Sequence, residues 1–253
     1  MVSKKIKIVK VQGGLGNQFF QVAFAIFLKK HFDCEIILDV SWFKTQSLRK
    51  FHVNDYLYSL DFKIESIKPN LLDKLFIYRS ESIITYFLKK GIKLPISFYN
   101  GYWQQIYFAK YLKDSKLLNK KNLFRNSRDE YYVVHLRRDD FLSSGPHHVL
   151  SDEYYMKFIN IFNDKKIYIL SANKNDALNF KNKLNIKTEY VECSDAEAFN
   201  IIHNSSGGLA SNSTFCWWAI YLSNNRNWIF PYQWMRKVNI IDSELNIQGT
   251  IIA

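Results

Sequence analysis

The segment His135-Leu136-Arg137-Arg138-Asp139-Asp140 carries the densest chemistry in the chain. It follows Tyr131-Tyr132-Val133-Val134, an apolar run that reads as a buried strand. Two guanidiniums therefore stand at the carboxyl end of a strand, where open α/β sheets bind ligands. Arginine offers a fixed fork of donors that matches phosphate oxygens in pairs. The plainer alternative is that Arg137 and Arg138 are salt-bridged to Asp139 and Asp140.

Two further segments repeat this arrangement of donors at a strand end. Gly13-Gly14-Leu15-Gly16-Asn17-Gln18 lies between a strand pattern and a helix pattern. Its glycines permit a sharp turn and a close approach by a ligand. The helix start adds unpaired N–H groups and a partial positive charge. Gln18 and Phe19 break the dinucleotide fingerprint, and the side-chain amides of Asn17 and Gln18 suit a hydroxyl-rich ligand. The plain reading is a turn with a capping Asn. Near the other end, Ser211-Asn212-Ser213-Thr214-Phe215 also precedes a helix pattern. Ser213 or Thr214 can cap that helix or hold a phosphate. Trp217 and Trp218 read as core.

Together, Arg137, Arg138, Ser213, Thr214 and the Gly13–Gln18 loop make a recipe for binding a diphosphate without a metal. Each charge-assisted hydrogen bond contributes about 1.5–3 kcal/mol. No Asp-x-Asp pair occurs, which favours arginine over magnesium as the neutralising charge. His147-His148 has no companion ligands at metal spacing and reads as a surface loop.

The elements that must position these residues follow from periodicity. Ile6–Gln12 reads as a strand, Asn17–His31 as a helix and Glu35–Val40 as a second strand, the opening of a Rossmann-like half. Leu71–Leu75, Ile83–Lys89 and Tyr102–Leu112 read as helices, and Lys113–Arg128 as a polar linker. Beyond it, strands at 131–136, 166–171, 188–192, 207–211 and 227–230 alternate with helices at 153–162, 175–183, 196–203 and 215–223. Alternation of that kind predicts an α/β fold of doubly wound parallel sheets, in two Rossmann-like domains facing a cleft. The boundary is placed between residues 125 and 126, giving domains 1–125 and 126–253.

Composition bounds the rest. A hydrophobic fraction of 47% and an aromatic fraction of 17% supply a full core and argue against disorder. The net charge of +12 favours acidic partners: phosphorylated small molecules, anionic lipid or nucleic acid. No RNA- or DNA-binding motif accompanies it, and the lysines are scattered, so nucleic acid is not the expected partner. Cys34, Cys193 and Cys216 form no C-x-x-C spacing, and a reducing, cytoplasmic compartment is expected. No run reaches the ~20 apolar residues that span a bilayer. The basic surface suggests peripheral attachment to anionic membrane, where a lipid-linked glycan acceptor would be met.

Three motifs in register resemble the α-1,2-fucosyltransferase family that uses GDP-fucose. They are Gly13-Gly14-Leu15-Gly16-Asn17-Gln18-Phe19-Phe20-Gln21, His135-Leu136-Arg137-Arg138-Asp139-Asp140 and Ser211-Asn212-Ser213-Thr214-Phe215-Cys216-Trp217-Trp218. Gly101-Tyr102-Trp103-Gln104 and Asn227-Trp228-Ile229-Phe230-Pro231 echo it more weakly. The resemblance implies a GT-B-type glycosyltransferase, metal-independent and inverting, with GDP-fucose as co-substrate and no cofactor. It implies an acceptor-side amino-terminal domain and a donor site in the carboxyl half. Arg137 and Arg138 would hold the GDP phosphates, one of them neutralising the leaving group. Ser213 and Thr214 would add phosphate contacts, supported by His135, Ser211, Asn212 and Phe215. The loop bearing Gly14, Gly16, Asn17 and Gln18 would lie near fucose. The chain departs from the family at Asp139, where Gly is frequent, and at Ser171-Ala172-Asn173, where relatives carry Ser-Asp-Asp. Asp140 is the candidate base, although a carboxylate beside two arginines has a lowered pKa and makes a poor one. Transfer to O2 of galactose is the leading expectation. Another linkage or donor sugar on the same fold, or a non-enzymatic glycan- or nucleic-acid-binding protein, are the alternatives.

Overall fold

The computed structural model describes residues 5–45, 49–58, 61–67, 81–119, 130–138, 145 and 147–253. The chain divides into two compact units, Met1–Asn119 and Lys120–Ala253. The expected boundary at 125/126 and the expected helix at Leu71–Leu75 lie outside the described residues.

The first unit contains β1 (Lys5–Lys10), α1 (Leu15–Phe32), β2 (Cys34–Asp39), β3 (Lys63–Glu65), α2 (Glu81–Lys89), β4 (Phe98–Tyr99) and α3 (Ile106–Lys113). Its sheet has the order β3-β2-β1-β4 and every pairing is parallel. Ile8 on β1 stands in register with Ile37 on β2 and Phe98 on β4. Buried residues occupy nearly every side of α1, so it is a core helix rather than an amphipathic one. Phe24 stacks flat on Trp103, with centroids 4.0 Å apart, and meets Phe108 edge-on at 5.0 Å.

That stack explains why the helix expected over Tyr102–Leu112 starts only at Ile106. Trp103 has φ +54, a left-handed conformation outside any helix. The Glu81 carboxylate receives the N–H groups of Tyr102 and Trp103, at 2.9 and 2.6 Å. Burying the indole against Phe24 outweighs helix propensity here. The short strands β3 and β4 escape periodicity analysis because three or two residues hold no period.

The second unit contains β5 (Tyr132–His135), α4 (Asp152–Ile159), β6 (Ile167–Leu170), α5 (Lys174–Lys181), β7 (Glu189–Tyr190) and α6 (Asp195–Asn204). It continues through β8 (Gly207–Leu209), α7 (Thr214–Leu222), β9 (Trp228–Phe230), the β10–β11 hairpin (Gln233–Met235, Val238–Asn239) and β12 (Ile251–Ile252). The main sheet runs β12-β9-β8-β5-β6-β7, all parallel. The chain steps outward from β5 to β7 and then returns to lay β8 on the other side of β5. The β5/β8 junction is thus a topological switch point, and β1/β4 is its counterpart in the first unit. Such junctions open a crevice at the carboxyl ends of their strands.

β8 fits beside β5 because it begins with two glycines. Gly208 has φ +151, and a Cβ there would run into the backbone carbonyl of Val133. We predict that Gly208→Ala costs at least about 3 kcal/mol, by enforced strain and displacement of the central strand pair. Urea unfolding followed by circular dichroism checks this; a variant as stable as the parent chain contradicts it.

Candidate active site

Alternation along β5 sorts the residues that follow it. Val134 and Leu136 belong to the apolar cluster formed with Tyr155, Ile159, Ile169 and Phe180, on the side of α4 and α5. His135 faces the other side, where its ring lies over Phe215 and its Nδ1 is 2.6 Å from Ser211 Oγ.

Arg138 turns towards α4 and α5, with its guanidinium over the rings of Tyr155 and Phe180 at 5.5 and 5.7 Å. Its Nη2 is 2.7 Å from Asp152 Oδ1 and its Nη1 donates to Asp176 Oδ1 at 3.1 Å. Asp152 opens α4 and Asp176 lies in the first turn of α5. Burial opposes ionisation of Asp152, but Lys183 and Arg138 outweigh it and hold the carboxyl below its ordinary range. Arg138, expected at the phosphates, is ion-paired with two carboxylates in the structure. Arg138 is an ion-paired tie between two helix starts, and its carboxylates are Asp152 and Asp176. Asp139 and Asp140 lie outside the described residues.

Arg137 is half-buried, and its charge acts on the His135 imidazole. Burial, and then the charge of Arg137, push the His135 imidazole down to about 3. The ring is thus neutral in ordinary buffers, and its bond to Ser211 ties the end of β5 to the segment leaving β8.

Past that tie, the chain enters α7. Ser213 is the residue before the helix, with extended backbone (φ −110, ψ 130), and its hydroxyl does not cap it. The first N–H groups of α7 therefore receive no side-chain cap from Ser213. Behind them, Cys216, Trp217 and Trp218 are fully buried, and Trp217 Nε1 donates to the carbonyl of Leu245 at 2.6 Å. The tryptophans are core, as their sequence context suggests. Asn212 was expected to face a donor. Its amide instead donates to the carbonyls of His148 and Trp234, at 2.7 and 2.9 Å. Ser211 is fully buried on His135, and Phe215 packs between the His135 and Phe199 rings. These contacts fix the helix start, while the Asn212 Oδ1 is buried without a hydrogen-bond partner. His147 bridges to Met235, which makes the His147-His148 segment structural. After β6, Asn173 accepts the N–H of Asp176 at 3.1 Å and so caps α5.

In the first unit, Gly13 adopts φ +80, and a Cβ on it would stand 2.6 Å from Asn17 Nδ2. Gly14 precedes α1 and Gly16 is buried within its first turn. Asn17 Oδ1 accepts from Gln104 Nε2 at 2.9 Å. Gln18, expected to reach towards a ligand, is 1% exposed. It donates to the carbonyls of Gly13 and Lys50 and accepts the N–H groups of His52 and Val53. All four of its hydrogen-bonding positions are thereby filled. Gln21 was not singled out beforehand. It accepts from the N–H of Gln12 and donates to the carbonyl of Gly101, joining the β1 and β4 ends. Half-buried amides at this junction include those of Gln12, Asn17, Asn100 and Gln104, and Gln12 Nε2 donates to Asn100 Oδ1 at 3.3 Å.

Comparison with known proteins gives this geometry a family. Residues 1–237 match the model for glycosyl transferase family 11. The chain belongs to that family. It is similar to the O-antigen biosynthesis glycosyltransferase WbnK of Escherichia coli, with 24% identity over 94% of this chain and 99% of WbnK. It is 23% identical to an alpha-1,2-colitosyltransferase of Escherichia coli, over 87% of this chain and 88% of that protein. Among solved structures, fucosyltransferase NodZ from Bradyrhizobium superposes with a TM-score of 0.56 at 10% identity, covering 88% of this chain and 94% of NodZ. A glycosyl transferase of family 9 from Veillonella parvula superposes with a TM-score of 0.54 at 9% identity, over 100% of this chain and 86% of its own. These likenesses give the fold, which is GT-B. The family-11 chain is a glycosyltransferase.

The depressed pKa of His135 has a consequence for stability. Below the unfolded value of 6.5, the unfolded chain takes up a proton that the folded chain refuses until about 3. This contribution is complete above 6.5 and is lost as pH falls through that window, at ~1.4 kcal/mol per pH unit. His135→Asn should flatten the stability profile between about pH 4 and about pH 6 by that slope. Urea melts of both proteins across the interval check it, and parallel profiles contradict it.

Proposed function

We propose that this glycosyltransferase moves L-fucose from GDP-fucose to a hydroxyl of a glycan acceptor, with O2 of galactose as the position attacked. The observation that carries the reading is the His135–Ser211 bond across the β5/β8 junction. It ties the end of β5, two residues before Arg137, to the segment that leads into α7, both at the carboxyl ends of parallel strands. There, a guanidinium and helix-start N–H groups suit a pyrophosphate without a bound cation. One NodZ structure, superposing with a TM-score of 0.58 at 10% identity over 88% of this chain and 93% of its own, is of an alpha-1,6-fucosyltransferase co-crystallised with GDP.

In the proposed step, the acceptor oxygen bonds to the anomeric carbon as the bond from that carbon to the β-phosphate oxygen breaks. The acceptor hydroxyl proton passes to water or to Asp140, the candidate base, as the new bond forms, and configuration inverts. Negative charge grows on the departing GDP, and Arg137, Ser213, Thr214 and the α7 N–H groups stabilise it most where it is greatest. A neutral His135 keeps the strand ends rigid without adding a mobile charge. Arg138 acts through structure, holding the β5 exit against α4 and α5. The second unit thus serves the nucleotide. In the first unit, Gly14 and Gly16 allow close approach, and Gln12, Asn17 and Gln104 offer amides to sugar hydroxyls.

A second reading keeps the linkage and changes the sugar. It is favoured by the similarity to a protein named for alpha-1,2 transfer of colitose. Incubation with a panel of GDP-sugars and galactosides, with linkage analysis of the product, decides between them. Fucose in α-1,2 linkage is expected; product only from another donor, or in another linkage, overturns the first reading.

The two arginines separate by readout. Arg137→Ala should lower kcat by about 10²–10³ with a melting temperature near that of the parent. Arg138→Met should lower stability by about 2 kcal/mol, because it leaves Asp152 and Asp176 without their shared cation. Near-normal turnover in a folded Arg137→Ala protein contradicts the proposal.

A further inference from the structure

One face of the first unit combines apolar exposure with clustered lysines. Helix α2 buries Ile84, Thr85 and Leu88, and turns Ile83, Tyr86 and Phe87 outwards at 49%, 55% and 36% exposure. Positions 83, 86, 87 and 90 share one side of a helix. Ile92, just beyond the helix, is 45% exposed. These are large side chains on a helix that is only nine residues long.

Lysines surround this stripe and connect it to the neighbouring helices. Lys90 Nζ lies 4.3 Å over the Tyr86 ring. Lys89 Nζ lies 5.0 Å over Tyr107 on α3, and Lys110 Nζ lies 4.5 Å over the same ring. Lys110 and Lys30 flank Tyr111, at 5.2 and 5.7 Å. Lys93 donates to the carbonyl of Phe32 at the end of α1. Among described residues at the ends of these helices, the acidic groups are Asp33, Asp114 and Glu81. Glu81 is turned inwards onto the N–H groups of Tyr102 and Trp103. Lys30, Lys89, Lys90, Lys93 and Lys110 therefore dominate the charge of this face.

We propose that α2, with the lysine–tyrosine cluster beside it, is a docking surface for an anionic lipid bilayer. Charge complementarity selects the partner, and the apolar stripe distinguishes a bilayer from a soluble polyanion. A polyanion rewards the lysines but gains little from Ile83 and Ile92. A lipid surface rewards both, taking aliphatic and Phe side chains below the headgroups while Tyr and Lys stay at their level. The inference goes beyond the transfer reaction and stands whichever sugar the donor carries.

The test is co-sedimentation of the full chain with phosphatidylcholine vesicles made with and without phosphatidylglycerol. Binding should require the anionic lipid and weaken with salt. Each lysine contributes about fivefold to partitioning. The triple variant Lys89→Glu, Lys90→Glu, Lys93→Glu should thus lose at least about a hundredfold. The double variant Tyr86→Ser, Phe87→Ser should lose about tenfold while keeping the salt dependence of the parent. Melting curves establish that the variants are folded, and hydrogen exchange on the unaltered chain gives a reading that needs no variant. Peptides covering residues 82–93 and 107–111 should gain protection when anionic vesicles are added. Equal binding to neutral vesicles, variants that sediment like the parent, or protection confined to other segments would overturn the proposal. So would binding to inorganic polyphosphate as tight as to vesicles and unchanged by Tyr86→Ser, Phe87→Ser.

Discussion

The second unit turns on a buried hydrogen bond between a neutral imidazole and a serine hydroxyl. His135 ends β5 and Ser211 follows β8, two strands that are neighbours in space and far apart in the chain. A polar pair buried this deeply must be satisfied, since an unmet partner costs about 1–3 kcal/mol. The bond therefore fixes the exit of β5 relative to the start of α7. Desolvation keeps the ring neutral, so the bond holds throughout the pH range in which a nucleotide is fully charged.

Arg138 is held by ion pairs that no local pattern sets. Arg138 continues the side of Val134 and Leu136 and meets Asp152, Asp176, Tyr155 and Phe180. Arg137 is half-buried, and its charge acts on His135. The first unit shows the same economy. Gln18 and Gln21 spend their amides on backbone groups of the Gly13 loop, the 50–53 segment and Gly101. What these buried amides secure is the position of the less buried Gln12, Asn17 and Gln104. In both units, residues that look like ligands in the sequence are partly the scaffold of others.

Legibility in the sequence followed the range of the interaction that decides each feature. The β-loop-α-β opening and the alternating strands and helices of the second half were readable, because local periodicity sets them. Trp217 and Trp218 were readable as core from their apolar context. Trp103 was not, since a stack on Phe24 and a carboxylate from α2 impose its left-handed backbone. The fate of Arg138 depended on carboxylates in two later helices, which no local pattern announces. Gly207-Gly208 gave a visible signal that was passed over: paired glycines inside a strand mark close backbone approach, here to β5 and β9.

The central claim is geometric, and a crystal of the protein soaked with GDP tests it most directly. The account predicts the β-phosphate within hydrogen-bonding distance of the Arg137 guanidinium and the first N–H groups of α7, with Arg138 still on Asp152 and Asp176. A nucleotide whose phosphates contact Arg138 after it has left those carboxylates, or lie away from both Arg137 and Thr214, would contradict it.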